Sequence, residues 1–177
     1  KAHAMSLLGL EGTPIEVEAD ISSNLPNFVL VGLPDASLNE SASRVRSASA
    51  NSGPPLPGRR ITVNLSPASV PKQGSAFDLA IAVSVLAAAG DLDPESVVKW
   101  LHVGELGLDG SVRPVKGVLP TVLAAKRAGF SRVVVPARNF GEANLVEGMQ
   151  ILAVEDLAEV AGLHGCRRKL SRPNRQP

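Results

Sequence analysis

The chain has 177 residues, 44% of them hydrophobic, with 18 basic side chains against 17 acidic ones. That composition supports one sizeable core and excludes both low-complexity disorder over the body of the chain and a uniformly basic nucleic-acid binder. A single cysteine, Cys166, rules out an intrachain disulfide or a cysteine-based zinc site and fits a reducing, cytoplasmic setting.

The opening KAHAMSLLGL has a short apolar run without a small-residue cleavage pattern, so it does not read as a signal peptide. PIEVEADI alternates Ile15, Val17, Ala19 and Ile21 with Glu16, Glu18 and Asp20, the period-two pattern of a strand with one wet face. NFVLVGLP is continuously apolar and predicts a strand covered on both faces. A helix is expected from Ala36 to Asn51 with Asp35 as its cap, because Leu38, Ala42, Val45 and Ala48 recur at helical spacing. NSGPPLPG stops it, and RRITVNLSP is another strand.

DLAIAVSVLAAAG, beginning near Phe77 or Asp78, is apolar nearly all round and predicts a buried helix ended by Gly90. The strongly apolar stretch Leu79 to Ala89 is far short of the roughly 20 residues that span a bilayer, so no membrane partner is expected. Asp93 and Pro94 open a short helix. WLHVGELGL and SVRPV then read as two strands joined by Asp109 and Gly110, with positive backbone angles expected at both turn positions. Beyond Gly117 the order helix, strand, helix, strand, helix through VLPTVLAAKRAG, SRVVVP, NFGEANLV, MQILAV and EDLAEVAGL is that of an α/β fold.

Charge is unevenly spread. Residues 1–166 carry 13 Lys and Arg against all 17 acids, a net of −4, whereas RRKLSRPNRQP carries five cations and no acid. The division read from this is a globular domain over residues 1–165 and a basic linker over 166–177.

Chemistry-bearing residues are few. No G-x-x-x-x-G-K-[ST] phosphate loop occurs, and PKQGS inverts its order. His3, His102 and His164 are widely separated and do not form a metal-ligand pattern, so no metal site is expected. Ser75 is a candidate nucleophile if Lys72 or Lys116 reaches it as a base. The plainer reading is that Ser75 and Asp78 satisfy free amides at a helix start while Lys72 is a solvated charge. Arg59, Arg60, Lys72, Arg113 and Lys116 are the candidate DNA or anion contacts, forming a local basic surface if their two regions meet.

PKQGSAFDLAIAVSVLAAAG followed by HVGELGLDGSVRPVKGVLPTVLAAKRAG resembles the proteolytic domain of Lon-type proteases, with its P-K-D-G-P-S-A-G stretch and G-E-I hairpin. From about residue 4 to 160, including GLEGTPIEVEADISSNLPNFVLVGLPD and RRITVNLSPASVPKQGS, the chain is more closely similar to the N-terminal domain of magnesium-chelatase-like AAA+ ATPases, the YifB or ComM family. A similar non-proteolytic domain ends the DNA-repair protein RadA. The resemblance implies a ribosomal protein S5 domain 2-like, Lon-like α/β (α+β) fold. It also implies a following AAA+ motor as partner, which would bind ATP and Mg, a hexameric parent, and a branch-migration role in DNA uptake and recombination.

Carried onto this chain, the Lon serine falls on Ala76 without a gap and on Ser75 with one residue deleted, while Gly110, Val112, Pro114 and Gly117 align the Lon lysine with Leu119. Leucine cannot accept a proton, so the implied reading is a non-catalytic module. A hydrolase with a rearranged Ser75–lysine pair and a pure oligomerisation domain are the alternatives.

Overall fold

A computed structural model describes residues 1–33, 35–72 and 74–166, apart from the side chains of Asp35 and Leu38. The expected Asp35 cap, the Leu38 side chain and the basic linker beyond Cys166 therefore lie outside the described residues.

The alternating segment at the start folds as an antiparallel pair, β1 (Ala2–Leu8) and β2 (Glu11–Ser22). Ile15 and Val17 are fully buried while Glu16 and Glu18 are exposed, as the period of two requires. Then come β3 (Asn27–Val31), α1 (Asp35–Ser52), β4 (Arg60–Ser66), α2 (Asp78–Ala88) and α3 (Pro94–Val97). The second half supplies β5 (Leu101–His102), β6 (Glu105–Leu106), β7 (Val112–Arg113), α4 (Val118–Arg127), β8 (Arg132–Pro136), α5 (Phe140–Ala143), β9 (Gln150–Val154) and α6 (Leu157–Leu163). No helix among the described residues is long and apolar enough to cross a membrane.

Among the described residues, seven strands form one sheet in the order β3-β4-β2-β1-β5-β8-β9, parallel except that β2 runs against both its neighbours. The fold is thus α/β, with helices on both faces. One core cluster joins Ile15, Val17, Val63 and Leu65 to Val45 and Ala48 of α1, to α2 and to Leu157 and Val160 of α6. The other joins Met5, Leu101, Val103 and Val133 to Val118 and Val122 of α4. Residues 79–83, 85 and 86 of α2 are buried, which accounts for a helix apolar on every side.

Two expectations need correction. NFVLV is not covered on both faces: among the described residues β3 is an edge strand, with Leu30 buried in the cluster that holds Val45 and Ala48 of α1 while Val31 is 46% exposed. The β6–β7 ribbon does not turn through two left-handed residues. Gly110 alone has positive φ, +92°, in a loop closed by Gly110 N donating to Gly107 O at 3.0 Å and Gly107 N donating to Ser111 O at 2.8 Å. That is a longer hairpin loop ending in a left-handed glycine. A Cβ on Gly110 would stand 2.0 Å from Ser52 Cβ, so the ribbon tip packs directly on the end of α1.

The joint between these elements is Asp78, fully buried in the first turn of α2. Its carboxylate accepts from Arg44 Nε of α1 at 2.6 Å, from Arg44 Nη2 at 3.1 Å and from Leu106 N of β6 at 3.1 Å. Burial pushes the carboxyl up, and the Arg44 guanidinium pulls it back. Removing one partner of such a pair strands the other in a dry site, at a cost of about 3–5 kcal/mol. Arg44→Met is expected to lower unfolding stability by about that amount in urea titrations, and a loss below about 1 kcal/mol would contradict the joint's role.

Candidate functional site

The segment Pro71–Phe77 arrives from the end of β4 and enters α2 beside the β6–β7 ribbon. Gly104 fixes their spacing: its N donates to Ala76 O and its O accepts from Leu79 N, both at 3.2 Å. A Cβ there would meet Val112 Cγ1 at 2.7 Å, so only glycine lets the ribbon approach this closely. The result is a cleft of about 120 Å³ whose wall includes Met5, Leu7, Ala76, Phe77, Val115 and Lys116.

The hydroxyl of Ser75 donates to Glu105 Oε2 at 2.7 Å. Ala76, the ungapped Lon serine position, lines the cleft instead. Leu119, at the Lon lysine position, is half-buried and packs against the Met5 and Val122 cluster. Lys116 lines the cleft and is exposed.

Lys72 is placed differently from the expectation of a solvated charge. It is 2% exposed, and its ammonium donates to Pro67 O at 2.7 Å and Val70 O at 2.9 Å. Burial lowers its pKa. The ammonium closes the loop on which it sits, using carbonyls that no regular element would otherwise satisfy. It therefore serves neither as a base hydrogen-bonded to Ser75 nor as part of an exposed basic surface. The helix start also differs: Asp78 binds Arg44 and the ribbon, Ser75 binds Glu105, and Phe77 caps α2 without a side-chain bond.

The basic candidates fall into separate groups. Arg113 stands in β7 directly across from Glu105, and Lys116 follows on the cleft wall. Arg59 and Arg60 are exposed at the opposite end of β4 from Ser66, about 20 Å along the strand from the Pro67–Lys72 loop. Charges clustered in sequence, from Arg59 to Lys72, are thus drawn apart by one strand length.

Sequence reasoning missed three residues that build the site. Glu105 sits in the quoted GE dipeptide, but nothing local indicates that its partner is Ser75. Arg44 lies on the polar side of an expected helix, where a solvated role is the default. Asn139 clamps the segment leaving the ribbon, accepting from Val115 N at 3.0 Å and donating to Val115 O at 3.1 Å, across 24 positions of sequence. No group of three or more His, Cys, Asp or Glu side chains able to hold a metal converges among the described residues.

The profile of the family described as subunit ChlI of Mg-chelatase matches residues 17–139. The chain is 51% identical over 160 residues to an uncharacterized protein of Mycobacterium tuberculosis, covering 90% of this chain and 32% of that one. It is 37% identical over 171 residues to the protein YifB of Escherichia coli, covering 97% of this chain and 34% of YifB. To the competence protein ComM of Haemophilus influenzae it is 36% identical over 168 residues, covering 95% and 33%. A weaker likeness, 28% over 170 residues, links it to a Lon protease of Mycolicibacterium smegmatis, 22% of which is matched. The chain spans about a third of the length of the first of these relatives.

Lysine-specific acetylation read by mass spectrometry checks the placement of the two candidate lysines. Lys116 is expected to react at the rate of an exposed amine, and Lys72 at least about tenfold more slowly, until the chain is unfolded. Equal reactivity in the folded chain would overturn the assignment of Lys72 to the loop carbonyls.

Proposed function

The chain belongs to the family of subunit ChlI of Mg-chelatase, and on that premise we propose that it is the non-catalytic, Lon-like N-terminal module of a ComM- or YifB-type AAA+ ATPase. Its role in that reading is to assist ring assembly and contact with DNA or a partner protein during recombination or transformation. ATP and Mg act in the motor part of the parent, not at a step carried by these residues. The parent is a homo-hexamer working in the cytoplasm.

The observation that supports the reading best is the chemistry at the Lon-like positions. A nucleophile needs a base within hydrogen-bond reach. Here the lysine position holds Leu119, the serine position holds Ala76 or, with one residue deleted, Ser75, whose hydroxyl is bonded to Glu105, and Lys72 is bonded to two carbonyls. The names of the relatives supply the context: ComM is called a competence protein. Contact with DNA, in this reading, is local. It uses the exposed Arg59 and Arg60 at one end of β4 and Arg113 and Lys116 beside the cleft, on a body that is acidic overall.

Two measurements test the proposal. Reversing charge at Arg59, Arg60, Arg113 and Lys116 is expected to weaken DNA binding of the chain at least about tenfold at low salt and to flatten its salt dependence. Unchanged binding would remove those residues from the interface. Exposure to a fluorophosphonate probe is expected to leave Ser75 unlabelled. Stoichiometric labelling of Ser75, lost on Lys116→Ala, would replace the module reading with a serine hydrolase.

A further inference from the structure

His102 and His164 lie 62 positions apart, and each is fully buried. Leu101 and Val103 of the same segment point to the α4 face of the sheet, so the His102 side chain is carried to the other face. There its Nε2 stands 2.8 Å from Nε2 of His164, the residue that ends α6. Nδ1 of His164 is 2.8 Å from the hydroxyl of Ser96 in α3, and the His164 carbonyl accepts from Asp93 N at 2.8 Å. One hydrogen-bonded chain thus ties β5, α6 and α3 together.

That chain has room for a single proton between the rings. Two Nε2 atoms at 2.8 Å form a hydrogen bond only when one is a donor and the other an acceptor. One added proton makes a charge on buried rings of which His102 Nδ1 has no hydrogen-bond partner, and a second sets N–H against N–H. The charged and titratable groups facing the pair are Asp93, ahead of α3, which favours a proton on His164, and His3 of β1, which opposes one on His102. Desolvation outweighs Asp93 and lowers His164 to about 4, and it lowers His102 well below the ordinary histidine value.

We propose that the His102–His164 bridge is a proton-operated latch on the C-terminal end of α6. With both rings neutral it holds α6 and the residues that follow, through Cys166, against β5 and α3; because a buried ring takes up a proton less readily than a released one, proton uptake favours the released form. A released imidazole takes a proton near its ordinary value of 6.5, whereas His164 in place does so only near 4. Between those values the open form binds more protons, so the latch is fully closed above 6.5 and weakens as pH falls. At pH 5 the opening constant is about 30-fold larger than at pH 8 for one released ring of these values.

Hydrogen exchange resolved by residue, corrected for intrinsic rates, reads this directly in the 177-residue chain. The amides of Val160 to Cys166 are expected to exchange about 30-fold faster at pH 5 than at pH 8, while Val133 to Val135 in β8 keep their protection. Equal acceleration in β8 would mean general unfolding, and no acceleration in α6 would mean no latch; either result overturns the proposal. Imidazole carbon NMR on the unmodified chain gives a second readout that does not depend on a variant folding. Both rings are expected to stay neutral at pH 6, and titration of either one near 6.5 in the folded chain would defeat the proposal.

Discussion

The buried carboxylate of Asp78 governs how the halves of the chain meet. A helix that is apolar on every side can pack in many rotations, since no wet face orients it. Asp78 removes that freedom. One oxygen takes Arg44 of α1 and Leu106 of the ribbon, and the other takes the second nitrogen of Arg44. A dry charge tolerates little displacement, because each lost bond leaves it both unsolvated and unpaired. The rotation of α2, the height of α1 and the entry of the ribbon are therefore set together.

The cleft follows from this joint. Leu79 N and Ala76 O are bonded to Gly104, so the position of α2 dictates where Ala76 faces. Ser75, one residue earlier, is turned to Glu105 and away from that wall. The loop before it is closed by an ammonium, with Lys72 bridging Pro67 and Val70 carbonyls. A frame that resembles a hydrolase's is thus kept rigid while its polar groups bond to the frame itself. Rigidity and reactivity come from the same residue types, and here the hydrogen-bond partners are those that serve rigidity.

Patterns of local period were legible in the sequence. The alternation of β2, the all-apolar α2, the Asp93–Pro94 helix start and the helix–strand rhythm after Gly117 all appear where composition and spacing placed them. What was hidden depends on pairings that no window contains. NFVLV reads as doubly covered, but coverage is decided by what packs on each face, and Leu30 is buried with α1 while Val31 is exposed. Lysine after proline reads as solvated because that is the usual state of lysine, whereas Lys72 finds two carbonyl acceptors nearby in its own loop. Arg59 and Lys72 look like one basic run, yet the extended strand between them separates the charges.

The histidines show the same limit from the other direction. His102, set between Leu101 and Val103, carries no spacing signal that points to His164, and an isolated histidine in a strand is ordinarily a satisfied core residue. Its Nε2 is paired here with another histidine, while its buried Nδ1 has no hydrogen-bond partner, which differs from satisfaction by a carbonyl or a carboxylate. A carbonyl fixes which nitrogen carries the proton, and a carboxylate stabilises the charged ring. An imidazole partner does neither, since each ring can be donor or acceptor and both repel a second proton. The end of α6 is thus attached by a bond between two rings of the same kind, while α2 is attached by one between a carboxylate and a guanidinium. Both attachments answer to acid, the C-terminal one through its imidazoles and the Asp78 joint through a carboxyl that burial pushes up against the pull of Arg44.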